Sequence, residues 1–378
     1  MRIGHYGITL WLPGGVANYV RRIARAQRAA GHEIFFFDRP GEPDVAAEWQ
    51  ARAVGSDGEL YAAARAARLD VLHLHSTVSR LPPADLRVIR SVHTHEPYCV
   101  SSLQYWKRSE RPCPHVYAAA SCLRGHVVEH CGSLRPRKLI GTWRTFRNER
   151  RVLPSMRALA VSRFMMQRLV DAGYPAEQIR LLRPIPPPSS RRTEPPRDGV
   201  PHFVFLGRLV PEKGVQWLLR AWKRLDRSAQ LDIAGAGYYE ADLKALAQHL
   251  GLEERVRFHG WLDEAAASAL VSAARGVIVP SLWQEPSGTV VFEAMAHGRA
   301  PIISDVGGAV EPVVPGVSAL IVPPGDDERM AEALRILTDD HAAAAAIGAR
   351  AHDRLTESFG VEEHMQQLYR HYDEVVAC

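Results

Sequence analysis

Two carboxylates bracket the start of a helix in the stretch Glu285-Pro-Ser-Gly-Thr-Val-Val-Phe-Glu293. The apolar run before it, Gly276-Val-Ile-Val-Pro280, reads as a short buried strand, with Ser281 to Glu285 as the connecting loop. The helix is expected to open near Ser287 and close at Gly298, which puts Glu293 about 9 Å along its axis. Backbone N–H groups at Ser287, Gly288 and Thr289 have no partner within such a helix and suit a phosphate, and Gly288 lets a ligand approach the backbone. Two anionic side chains beside an anion site fit a ligand with hydroxyls at both ends, because carboxylates accept hydrogen bonds from hydroxyls. A nucleotide sugar has that order: hydroxyls, diphosphate, hydroxyls. An amphipathic helix with a solvated Glu293 and a loop Glu285 would have the same spacing.

A second constellation follows the apolar strand His202–Leu206: Gly207-Arg208-Leu-Val-Pro-Glu-Lys213-Gly214. One Arg and one Lys in a loop at a strand end can clamp a diphosphate, the guanidinium bidentate and the ammonium as a point charge. Two solvated basic side chains are the plain alternative. In the first half, Leu12-Pro-Gly-Gly15 follows the first strand, and His93-Thr-His95-Glu-Pro-Tyr-Cys99 follows the apolar run Val88–His93. Either histidine could bond a ligand there or merely cap the strand end.

Taken together, these stretches resemble the GT-B glycosyltransferases, in particular the large retaining family 4. The resemblance rests on Glu285-x7-Glu293 with its flanks Pro280-Ser-Leu-Trp-Gln-Glu-Pro and Asp305-Val-Gly-Gly-Ala-Val-Glu311, and on Gly207-Arg208…Lys213-Gly214. It extends to the glycine turn Asp232-Ile-Ala-Gly235-Ala-Gly237 and to His259-Gly-Trp261-Leu262. It implies that Glu285 contacts the transferred sugar, Glu293 the ribose, and Arg208 and Lys213 the diphosphate. Ser287, Gly288 and Thr289 would bind the donor with Gly235, Gly237 and the base-framing Trp261 and Leu262, while Gly15 would approach donor phosphates and acceptor. His93 is the better match to the family's strand-end histidine, by its six-residue spacing to Cys99, and would bond the sugar; His95 is the rival. The implied reaction moves a sugar from a nucleotide diphosphate sugar to a hydroxyl acceptor with retention, without a further cofactor. No Asp-x-Asp stands at a strand end, so Arg208, Lys213 and the helix N-terminus are expected to replace a divalent metal. Ser287 and Arg299 depart from the pattern, where Phe and a small or apolar residue are usual.

Positioning these residues calls for two α/β domains. Candidate strands at Arg2–Tyr6, Glu33–Phe37, Val71–His75, Val88–His93, Ala158–Val161 and Arg180–Leu182 alternate with helical stretches. The alternation restarts at His202–Leu206, Gln230–Ala234, Val256–His259, Val277–Val279, Ala300–Ile303 and Ala319–Val322. Two Rossmann-like domains with parallel sheets are expected, facing across a cleft. The boundaries are 1–183 for the acceptor-side domain, 184–199 for a Pro-rich linker and 200–358 for the nucleotide-sugar domain, with 359–378 a terminal helix crossing back. After His93-Thr-His95-Glu-Pro-Tyr-Cys99, roughly 45 residues rich in Cys, Arg and His read as a long loop of little periodicity.

Over 378 residues the formal charge is +5, with a pI near 9.0. Eight Arg/Lys against the single acid Glu149 lie between Arg135 and Arg157, a solvated helix face or a contact for an anionic membrane. Nucleic acid is a poor fit, since few aromatics interleave them. No run reaches a bilayer-spanning length, and no signal peptide opens the chain, so a cytoplasmic enzyme is expected, at most peripheral on a membrane. Cys99, Cys113, Cys122 and Cys131 fall among His115, His126 and His130. A structural zinc is one reading of them and reduced thiols the other. Rival functions are a GT-B-shaped nucleotide-sugar epimerase, which needs extra carboxylates in the first domain, and a non-catalytic nucleotide-sugar-binding subunit.

Overall fold

The computed structural model describes residues 1–7, 14–39, 49, 51–187 and 192–377. The chain divides into two compact units, the first formed by Met1–Gln104, Pro114–Ile185 and Val361–Cys378, the second by Tyr105–Cys113 and Pro186–Gly360.

In the first unit, seven strands form one parallel sheet in the order β3-β2-β1-β4-β5-β8-β9. They span Arg2–Tyr6 (β1), Glu33–Asp38 (β2), Arg52–Ala53 (β3), Val71–Leu74 (β4), Val88–Val92 (β5), Arg157–Ala160 (β8) and Ile179–Leu181 (β9). Every residue of β4 and β5 is buried, the mark of a sheet covered on both faces. One face packs Leu60, Leu72, Leu74, Val92 and Leu169 together. On the other, helix Gly15–Ala29 lays down Val20, Ile23 and Ala24, at the spacing one helix face requires. The terminal helix Val361–Val376 adds Met365, Leu368 and Tyr372 to that same core.

The stretch expected as an irregular loop is largely ordered. It contains the short hairpin β6 (Tyr105–Trp106) and β7 (Arg111–Pro112), then helices Ala119–Val127 and Pro136–Val152. The second of these buries only Phe146, Glu149 and Val152. So narrow an apolar stripe gives almost no hydrophobic period to read. Glu149 is buried against Arg90 at 3.3 Å, which satisfies both charges.

The second unit holds a six-stranded parallel sheet in the order β12-β11-β10-β13-β14-β15. Its strands are His202–Leu206 (β10), Gln230–Ala234 (β11), Val256–Gly260 (β12), Gly276–Val279 (β13), Ala300–Ser304 (β14) and Leu320–Val322 (β15). Asp232, buried on β11, joins its neighbours by bonds of 2.8 Å to His202 and to His259. Arg299, the unexpected residue, is fully buried and bonds Thr193 O and Ser272 O at 2.7 Å. Its guanidinium pins the Pro-rich stretch at Thr193 to the body of this unit, a structural reason for the departure. Among the described residues, no helix is long and apolar enough to cross a membrane.

Candidate active site

Both large sheets reverse strand order between two central neighbours. In the second unit β10 leads outward to β11 and β12, while β13 starts the opposite series. The loops leaving β10 and β13 stand at this strand reversal, and open α/β sheets bind ligands beyond the strand C-termini at such a point. Arg208 and Lys213 lie in the loop after β10, and Glu285 in the loop after β13.

The two loops are locked together. Gly214 adopts φ +74°, and a Cβ there would sit 1.7 Å from the carbonyl oxygen of Pro280, so only glycine permits the approach. Leu282 N–H donates to Glu212 O at 2.9 Å, and the buried Ser304 hydroxyl bonds Ser281 O at 2.6 Å. Lys213 Nζ then reaches Glu285 Oε1 at 2.7 Å, and the Ser281 hydroxyl donates to the same oxygen. Burial pushes the Glu285 carboxyl up, but the Lys213 charge and these hydrogen bonds outweigh it and hold it below its usual range. Lys213 also lies 5.0 Å from the Trp283 ring centroid. Sequence reasoning placed Lys213 and Glu285 on different parts of a ligand; the structure pairs them. Ser281 and Trp283, which complete the pair, stand inside the quoted Pro280-Ser-Leu-Trp-Gln-Glu-Pro flank but were given no role.

Arg208 is exposed and makes no ion pair among the described residues. Gly235 and Gly237 line its loop: a Cβ on either would lie 1.8 Å from Gly207 O or 2.2 Å from Leu209 O. Their lack of side chain serves this backbone packing. Helix Thr289–Ala296 begins two residues later than expected, with Gly288 as its N-cap at φ +60° and no side-chain cap. Val291 N–H turns back to Gly288 O at 2.9 Å, while no side chain caps the N–H groups of the half-buried Thr289 and Val290. Glu293 is half-buried on the same helix. Trp261 is exposed just beyond β12, with Leu262 half-buried after it.

In the first unit His93 immediately follows β5 and Gly15 opens helix Gly15–Ala29; Leu12 and Pro13, the rest of that expected loop, lie outside the described residues. His93 Nε2 lies 3.1 Å from His75 Nδ1, and its ring meets Tyr19 edge-on at 5.2 Å between centroids. His95 is fully buried, 2.6 Å from the Tyr98 hydroxyl, while its carbonyl accepts from Tyr98 and Cys99: it is the turn-forming residue of the two. Cys99, Cys113, Cys122 and Cys131 form no disulfide. Among the described residues the one group of three or more possible metal ligands within mutual reach is His5, His73 and His75, so the zinc reading of Cys99, Cys113, Cys122 and Cys131 is not supported.

The family model "Glycosyltransferase Family 4" matches residues 13–185, and "Glycosyl transferases group 1" matches residues 188–354. The chain is 36% identical over 167 residues to the glycogen synthase of Mycobacterium tuberculosis, 43% of this chain but only 40% of that protein's length. Along nearly its whole length it is 29% identical to the phosphatidyl-myo-inositol mannosyltransferase of Mycobacterium leprae, covering 90% of each chain. The crystal structure of Anabaena HepE in complex with UDP-glucose superposes with a TM-score of 0.72 at 17% identity, over 99% of this chain and 100% of that one. The chain belongs to the GT-B glycosyltransferases, with the Family 4 region in its first unit and the group 1 region in its second.

Proposed function

We propose that the protein transfers a hexosyl group from a nucleoside diphosphate sugar to a hydroxyl acceptor, with retention at the anomeric carbon. The carrying observation is the cluster at the β10/β13 strand reversal: an Arg208 with no ion pair among the described residues, the Lys213–Glu285 pair and a helix start with no side-chain cap, all at strand C-termini of one sheet. Arg208 and Lys213 would hold the diphosphate and offset the charge that gathers on it as the glycosidic bond breaks. The N–H groups opening helix Thr289–Ala296 would add to this without reorganising. Glu285 stays ionised, so it can hold Lys213 in place and accept hydrogen bonds from sugar hydroxyls. Glu293 would take the ribose hydroxyls, and the exposed Trp261 with Leu262 would frame the base. Acceptor deprotonation by a phosphate oxygen of the donor, on the face the leaving group departs from, is consistent with retention.

The two Mycobacterium relatives, named for a polysaccharide synthase and a phosphoinositide mannosyltransferase, favour a carbohydrate or glycolipid acceptor. The basic helix Pro136–Val152, which shows Leu139, Ile140 and Trp143 to solvent, suits an acceptor presented at an anionic membrane. A thermal-shift screen of UDP-, GDP-, ADP- and dTDP-sugars tests the donor class. One donor should raise the melting temperature and be turned over with release of its nucleoside diphosphate, in EDTA as well as without it. Stabilisation without turnover on any hydroxyl acceptor would instead make the protein a binding subunit.

A further inference from the structure

Behind His93 lies a buried polar row that the proposed chemistry does not use. Gln27 Oε1 is 2.8 Å from His5 Nε2, His5 Nδ1 is 3.0 Å from His75 Nε2, and His75 Nδ1 is 3.1 Å from His93 Nε2. Gln27, His5 and His75 are buried, on helix Gly15–Ala29, on β1 and just after β4, at the strand reversal of the first sheet. A second row leaves the same amide: Gln27 Nε2 donates to the Tyr372 hydroxyl at 3.2 Å, which lies 2.8 Å from His73 Nδ1, and His73 Nε2 is 2.8 Å from Ser91 Oγ. Ser91 in turn bonds Tyr19, the ring that packs against His93.

The protons in this network follow from valence. A carbonyl oxygen only accepts, so His5 carries its proton on Nε2 and offers a lone pair at Nδ1. His75 must then donate from Nε2, which leaves its Nδ1 to accept from His93 Nε2–H. The last ring, having spent its one proton, has a bare Nδ1. The other row runs outward in the same sense, from amide to Tyr372 O–H, to His73 Nδ1, to Ser91. This scheme holds only while the rings are neutral, and burial drives His5 down to about 4 and His93 to about 3, and holds His73 and His75 well below the usual histidine range.

We propose that Gln27, His5 and His75 are positioning residues that hold His93 as its Nε2–H tautomer, leaving Nδ1 free to accept a hydrogen bond from a sugar or acceptor hydroxyl. The proposal rests on His93 being the histidine at the transferred sugar. Among the described residues Nδ1 of His93 has no hydrogen-bond partner. The competing use of the cluster is a transition-metal site, since ligand atoms of His5, His73 and His75 lie within 4.8 Å of one another. All six ring nitrogens of those three residues already have hydrogen-bond partners, whereas a metal would have to displace them.

Two-bond proton–nitrogen correlation spectra of protein carrying nitrogen-15 histidine test this directly, the His93 signals being those lost in His93→Gln. The wild type should show His93 protonated at Nε2 and bare at Nδ1. Gln27→Met should turn His5, His75 and His93 into tautomer mixtures and lower kcat about tenfold or more, as the wrong tautomer does elsewhere. The Kd for UDP and GDP should stay unchanged. A His93 proton on Nδ1 in the wild type would overturn the proposal, as would a fixed His93 tautomer in Gln27→Met. One bound zinc or copper per chain on metal titration, with displacement of the His5 and His75 protons, would also overturn it. Full kcat in His93→Gln would instead remove His93 from the reaction, and is read separately from its tautomer.

Discussion

Glu285 and Glu293 carry one charge each in different settings. Glu285 is buried and bound to Lys213 and Ser281, whereas Glu293 is half-buried on the helix beyond. The Glx spacing was legible because eight residues span a loop and a helix start. The Lys213–Glu285 pair was not, since 72 positions separate its members and the β10/β13 pairing is what brings their loops together. The pair sharpens what each substitution should do. Glu285→Gln removes the partner of Lys213 and frees its charge for the diphosphate, so nucleoside diphosphate affinity should hold or tighten. The kcat should fall about 10- to 100-fold, because sugar contacts that orient the anomeric carbon are lost. Glu293→Gln should weaken nucleoside diphosphate and full donor alike, by about 1–2 kcal/mol, seen mainly in KM. Steady-state kinetics with product titration separate the cases, and the reverse pattern would mean that the donor lies the other way round.

At the scale of elements, strands read best. Short apolar runs closed by Gly, Pro or charged residues gave β1, β10 and β11 end to end. Their neighbours differ from expectation mostly at single terminal residues, where pairing and not side-chain pattern decides the end. Helix Ala119–Val127, inside the stretch expected as a loop, escaped because it buries only Gly125 and so shows no apolar face. The histidine network escaped for another reason: its members sit on five separate elements, and only the packed fold brings them together. The exposed face of helix Pro136–Val152 makes its own prediction. Leu139, Ile140 and Trp143 are 38%, 59% and 39% exposed among Arg137, Lys138 and Arg144. Sedimentation with vesicles should show binding to phosphatidylglycerol-containing membranes that fades with salt and drops about tenfold or more in Ile140→Glu. Equal binding to neutral phosphatidylcholine vesicles, or none to either, would contradict this placement.

The whole molecule should be acid-labile. His5, His73, His75, His93 and His364 are kept from protonating by burial. Below pH 6.5 the unfolded chain takes up protons that the folded chain refuses. Their contribution is therefore full above 6.5 and is lost as pH falls toward about 4, the folded value of His5 and His364. Each costs about 1.4 kcal/mol per pH unit in that window. Glu96 opposes them: pushed up to about 7 by burial and by the Glu149 carboxylate, it stabilises below its ordinary 4.5 and loses that as pH rises through 7. Five groups against one should make the urea midpoint drop steeply between pH 6.5 and 5, and a flat midpoint would mean that the histidines are solvated. The function itself turns on where the diphosphate binds. Arg208 is exposed and unpaired among the described residues, so its removal should leave stability within about 0.5 kcal/mol and report the ligand alone. Calorimetric titration of the stabilising nucleoside diphosphate into wild type and Arg208→Ala should show a loss of about 1.5–3 kcal/mol in the variant, at unchanged melting temperature. Wild-type affinity in Arg208→Ala would contradict a diphosphate site at the β10/β13 strand reversal.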